Sequence, residues 1–186
     1  MTAQPFWSFQ RTAGALMVAA ILPLALGVIL FLNRNGIGGG APPSQALFVW
    51  ERSFIMAAVV LTSIGLMLLD GYLQNSDGRT LVRVGAITYL IAGTLLVAAE
   101  AFGLSQGEKN VYALIVIYVV LSFLAQAAIG GALLQSKLLP AWIGWMTIVW
   151  NLAWLVVLPI TTPSDMYFPV LHHLMPLLIG TPLLLR

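Results

Sequence analysis

The residues best suited to chemistry lie close to the end of the chain, in the apolar run FPVLHHLMPLLIGTPLLL at 168–185. It holds both histidines of the protein, His172 and His173, with Pro176 just behind them. Proline has no N–H and its ring clashes with the carbonyl four residues back. Pro176 therefore frees the backbone oxygen of His172, which places two titratable rings and an unbonded carbonyl at one level of an apolar helix. The rings can ligate haem, contact a quinone or a pigment, or relay protons. Adjacent helical positions point about 100° apart, so the two rings cannot grip one metal ion. With one ring facing the bundle, the other faces lipid or a partner. As a haem ligand, either histidine needs a second axial group, from Met56 or from another subunit.

Few other residues carry charge at depth. Glu51 and Arg52 fall about one turn inside the start of an apolar run, and Glu100 near the end of the next, by a rise of about 1.5 Å per residue. Together with His172 and His173 they share one layer. Charge inside a bilayer is costly and turns towards protein or water, so these groups are expected to face one another around an outer polar pocket. Snorkelling into headgroups or a structural ion pair accounts for the same residues. Tyr89 and Gln126 continue inward from Glu100 and suit a proton relay or a polar ligand. Tyr118, Ser122, Gln126 and Gly130 recur every fourth residue and line one face; Gly85, Tyr89, Gly93 and Glu100 line another. Small and hydroxyl residues in such stripes also serve simple helix packing. Trp150 and Trp154, one turn apart, are a candidate platform for a flat ligand such as a quinone, a tetrapyrrole or a carotenoid, or else a bulky filler between helices.

Six apolar runs position these groups, at 13–32, 47–73, 81–104, 111–135, 140–160 and 168–185. The 186 residues are 60% hydrophobic and only 8% charged, against about 25% charged in soluble domains. Mean hydropathy is +0.98. The runs are continuous rather than alternating, which selects helices over a barrel. The expected fold is a single all-α membrane domain over 1–186, a polytopic helical bundle of six transmembrane helices. Short connections make successive helices antiparallel neighbours. The first run is too long for a signal-peptide core and reads as a retained span.

Orientation follows the lysines and arginines. Arg11, Arg79, Arg83, Lys137 and Arg186 share the side of the termini, whereas Arg34 and Lys109, plus Arg52 beside Glu51, fall opposite. This predicts both termini in the cytoplasm. Trp7, Trp50, Trp142, Trp145, Tyr112 and Tyr167 sit at run ends, as an interfacial aromatic belt would. Asp70 and Arg83 are placed to clamp one turn.

The net charge of +2 comes without a basic cluster, so it speaks for topology and against nucleic acid as a partner. The absence of cysteine removes disulfides, thiolate catalysis and Cys-held metal centres. GIGGG at 36–40 lacks the lysine and the strand–helix setting of a phosphate loop. No nucleophile–base motif or metal-ligand spacing is visible, no catalytic residue is assigned, and no three-plus-three repeat of the transporter kind appears.

The segment Leu139-Pro140-Ala141-Trp142-Ile143-Gly144-Trp145, opening a run, resembles one in small polytopic bacterial inner-membrane proteins without an assigned activity, as does the proline-rich last run. That likeness covers the last third of the chain and implies a bacterial inner-membrane location, with no catalytic residue to carry over. The leading expectation is a non-enzymatic membrane protein, either an accessory subunit of a larger complex or a small-ligand binder, surrounded by the lipid bilayer. The alternatives are a haem-, quinone- or pigment-binding electron-transfer protein using His172 or His173, and a small proton-coupled transporter. A homo-oligomer is compatible with each.

Overall fold

The structure is a computed structural model that describes residues 8–34, 45–106, 111–163 and 166–185. Trp7, Lys109, Arg186, the GIGGG stretch and part of the 105–110 and 161–167 turns lie outside them. The described residues form helices and connecting turns, with no strand among them. The helices are α1 (Phe9–Ala19), α2 (Ile21–Arg34), α3 (Gln45–Leu73), α4 (Arg79–Gln106), α5 (Tyr112–Ser136), α6 (Ala141–Thr161) and α7 (Pro169–Leu185).

Local chemistry sets most boundaries. Ser8 caps α1, its hydroxyl accepting from the Arg11 N–H at 3.3 Å, the usual use of serine at this position. The first run is kinked at Ala20, between α1 and α2. Pro23 is the cause, because it cannot donate to the Ala19 carbonyl and crowds it. Lys137 ends α5 in the left-handed region, at φ 52°, and Pro140 precedes α6. Pro169 opens α7, where a missing N–H is harmless.

Among the described residues, five helices are long and apolar enough to cross a membrane: α1 and α2 taken together as Phe9–Arg34, then α3, α4, α5 and α6. They point to an integral membrane protein. The last run forms a shorter apolar helix of 17 residues, about 25 Å long at 1.5 Å per residue.

Successive helices pack side by side, α1 and α2 on α3, α3 on α4, α4 on α5 and α5 on α6. Helix α7 comes back to α1 and also touches α2, α3, α5 and α6. One face of it is thus covered by several helices, while Val170, Leu174 and Leu185 stay exposed on the other. Glycines permit the closest approaches. A Cβ on Gly14 would meet the Leu184 nitrogen at 2.5 Å and the Gly180 oxygen at 2.7 Å, so α1 and α7 touch backbone to backbone there. Gly130 and Gly144 do the same for α5 and α6, where a Cβ added to either would fall 2.8 Å or 2.9 Å from the other's carbonyl oxygen.

The core divides along the bundle axis. Towards the end where α1 begins, Ala13, Met17, Leu66, Leu69, Ile129, Leu133, Ile179 and Leu183 pack into an apolar cluster. Towards the other end, Ile55, Leu96, Ile115, Phe123 and Leu158 form a second cluster, and it is threaded by polar side chains. At the first end the expected turn clamp is present, with Arg83 Nε 3.5 Å from Asp70 Oδ2.

Candidate functional site

At the second end a chain of four charges crosses the helices. Arg34, closing α2, donates to both carboxylate oxygens of Glu51, at 2.7 Å and 3.2 Å. Arg52 Nε lies 3.5 Å from Glu51 Oε1, and its Nη1 lies 3.1 Å from Glu100 Oε1. Alternation of sign leaves the set neutral. The Glu51 and Glu100 side chains are only 1% and 4% exposed, which decides between burial among helices and snorkelling outward. Phe48 covers both guanidinium groups, 5.1 Å from each, a cation–π arrangement. Of the five groups expected to face one another, Glu51, Arg52 and Glu100 do so and Arg34 joins them, whereas His172 and His173 turn instead to Ser122 and the Pro169 carbonyl. The place of Arg34 in the set was not legible in the sequence, where it counted only towards orientation.

Beneath the charges lies a layer of phenols. Tyr167 faces Glu100 and Arg52, and its ring meets Tyr118 edge to face, with centroids 5.7 Å apart at 76°. The Tyr118 hydroxyl faces that of Tyr89, which in turn faces Thr62. Tyr167 therefore does not belong to an interfacial belt. It precedes α7 in an extended stretch that turns its ring into the bundle, while Trp50, Trp142 and Trp145 stay outward-facing, each more than half exposed. The Tyr112 hydroxyl donates to the Pro163 carbonyl at 3.0 Å, tying the start of α5 to the α6–α7 connection.

The histidines come next. His172 stacks on Phe123, with centroids 4.3 Å apart at 26°, and its Nδ1 lies 2.8 Å from Ser122 Oγ. The Ser122 hydroxyl is also 3.1 Å from the Val119 carbonyl, and it can donate to that carbonyl or to His172 Nδ1 according to the tautomer of the ring. The carbonyl of His172, freed by Pro176, accepts from Gln126 Nε2 at 2.9 Å. His173 turns away from its neighbour. Its Nδ1–H donates to the Pro169 carbonyl at 2.9 Å, and the Ala58 backbone on α3 is close by.

The expectation that one ring would face lipid or a partner is corrected here. His172 and His173 are 0% and 1% exposed. Because α7 is enclosed on several sides, directions about 100° apart both end inside protein, one against α5 and the other beside α3. The Ser122–His172 contact joins positions fifty residues apart, and only the stripe of Tyr118, Ser122 and Gln126 hinted at it. The Tyr89–Gln126 stretch does not form one continuous line. Tyr89 belongs with Tyr118 and Thr62, and Gln126 with the α7 backbone.

Trp150 and Trp154 meet edge to face, with centroids 5.7 Å apart at 68°, which leaves no slot between the rings for a flat molecule. Trp150 Nε1–H donates to the Leu171 carbonyl at 3.1 Å. Trp154 lines an apolar groove of about 340 Å³ that runs between α2 and α6 over the start of α7.

Burial of a polar atom without a partner costs about 1–3 kcal/mol, and this half of the bundle holds several such atoms. Gln126 Oε1, Asn151 Oδ1 and His172 Nε2 are buried without a protein hydrogen-bond partner. They come from α5, α6 and α7. Among the described residues, no three His, Asp or Glu side chains converge to hold a metal ion. Comparison of the chain with protein-family models, with curated proteins and with solved structures gave no match.

Proposed function

We propose that the chain is a six-span membrane protein of a bacterial inner membrane, with both termini cytoplasmic, that holds a small ligand in the polar half of its bundle. It acts alone or as an accessory subunit of a larger complex. In this reading α7 is the sixth span, and the end carrying Glu51 and Glu100 faces outward. The supporting observation is the gathering of unpartnered buried polar atoms around the head of α7. A bundle held together by packing alone would fill those positions with apolar side chains, since unmet polar groups weaken it.

The division of the core favours binding over transport. Polar groups thread one half, and the other half is closed by Met17, Leu66, Leu69 and Leu133, each at most 1% exposed. A conducting path needs polar groups through both halves. The test is to purify the protein gently from its native membrane, extract it with organic solvent and identify the small molecules by mass spectrometry. A species near one per chain, lost from His172→Leu, supports the proposal. Its absence from both proteins contradicts it.

A further inference from the structure

Past the kink at Ala20 the first run parts from the last. Before it, α1 meets α7 backbone to backbone at Gly14 and Gly180. Beyond it, two apolar grooves of about 340 Å³ and 360 Å³ lie between α2 and α7. Val28 and Val170 line both, so the two form one continuous channel. It follows α2 from Leu32 back to Ile21, with α7 as the facing wall and the last turns of α6 flanking the end near Leu32. Ile29 and Val170 are exposed, so the channel opens towards lipid.

Size decides what can lie there. From Ile21 to Leu32 a helix rises about 17 Å, slightly more than half of a hydrocarbon core about 30 Å thick. The channel is therefore one leaflet long. A partner helix of that length, about 10 Å across, would occupy roughly 1,300 Å³, well beyond the two grooves together. A single extended hydrocarbon chain fits, and without it the lining side chains would lose their dispersion contacts.

The mouth of the channel carries charge. Phe31 lines it, and the Arg34 guanidinium lies 5.6 Å from that ring. Arg34 binds Glu51 through Nε and Nη2, which leaves Nη1 as a donor. Of the four linked charges it is the most exposed, at 21% against 11%, 1% and 4% for Arg52, Glu51 and Glu100. The set is neutral as a whole, yet it presents its cation at the mouth. Arginine suits a phosphate oxygen through charge-assisted hydrogen bonds.

We infer that the channel holds one glycerophospholipid per chain, with its phosphate on Arg34 Nη1 and one acyl chain lying along α2 as far as Ile21. The lipid fills the gap that the kink opens between α2, α6 and α7. Leu158 and Leu171 line the channel and also belong to the core cluster around Phe123. The site is thus separate from the polar half and does not depend on a ligand there.

Native mass spectrometry of the full chain released from detergent micelles counts the lipids that it retains. The protein is equilibrated with dioleoylphosphatidylglycerol, with dioleoylglycerol, which lacks phosphate, and with glycerol phosphate, which lacks tails. One phosphatidylglycerol per chain is expected to survive, bound at least about tenfold more tightly than dioleoylglycerol, the scale of one hydrogen bond to a charged group. Glycerol phosphate should not bind. Val28→Trp fills the junction of the two grooves and should lose the lipid, whereas Val149→Trp, on an exposed face of α6 that lines neither groove, should keep it. Equal retention by the two variants, as from an annular shell only, overturns the site. Equal affinity for dioleoylglycerol overturns Arg34 as the headgroup anchor, and this comparison on the unaltered chain stands even where Val28→Trp fails to fold. A lipid-free dimer that Val28→Trp dissociates would overturn the lipid in favour of a second copy of the chain.

Discussion

Replacing Gln126 by methionine isolates one interaction that the sequence imposes on the fold. Pro176 deprives the His172 carbonyl of its helical donor, and the Gln126 amide supplies the substitute at 2.9 Å. Interhelical hydrogen bonds in membranes average ~0.6 kcal/mol and reach about 1.7, since the separated helices satisfy their own groups. Here the carbonyl has no internal donor to return to, so the upper part of that range applies. Gln126→Met should destabilise the bundle by about 1.5 kcal/mol, roughly tenfold in the unfolding equilibrium. In a Pro176→Ala background the alanine N–H takes over the carbonyl, and the cost of Gln126→Met should fall to about 0.5 kcal/mol. That is a coupling of about 1 kcal/mol in a double-mutant cycle. Reversible unfolding in mixed micelles measures all four proteins. Strict additivity would refute the reasoning, because it would mean that proline and glutamine do not act on the same oxygen.

Three further outcomes follow from the same geometry. Gly14→Val pushes a side chain into the α7 backbone, with the Leu184 nitrogen 2.5 Å from the first added carbon, and should cost about 1–3 kcal/mol or more; Gly71→Ala, whose nearest neighbours lie at 3.9 Å, serves as the tolerant control in the same unfolding assay. Arg52→Met takes from buried Glu100 its guanidinium partner, while Glu51 keeps Arg34, and should cost about 3–5 kcal/mol, whereas Arg52→Met with Glu100→Leu should recover part of it. Arg83→Gln should change stability by about 0–1 kcal/mol, since its side chain is 50% exposed beside Asp70 and such pairs contribute little.

How far the sequence reaches depends on whether the responsible neighbour is local. Hydropathy located the helices, and Pro176 announced a freed carbonyl, because both act within a few residues. Burial of Glu51, Arg52 and Glu100 was foreseeable from the price of charge at depth. The rotation of α7 was not, since it is fixed by Gly14 against Gly180 on a helix at the other end of the chain. The same holds for Tyr167. Its place at the end of a run reads as interfacial, and only Tyr118 and His172 explain why it turns inward. Trp150 and Trp154 have the spacing of a platform, but side-chain torsions decide whether two rings face or cross, and no spacing carries that. The likeness of the 139–145 segment to bacterial inner-membrane proteins rests on a few residues and has no family match behind it.

The most direct test of the central claim is an experimental structure of the protein in nanodiscs made with its native lipids, with a rigid antibody fragment bound to make so small a chain tractable. The account predicts non-protein density in hydrogen-bonding contact with His172 Nε2 and Gln126 Oε1. A core in which those atoms pair with other side chains, or meet only isolated waters, would contradict it.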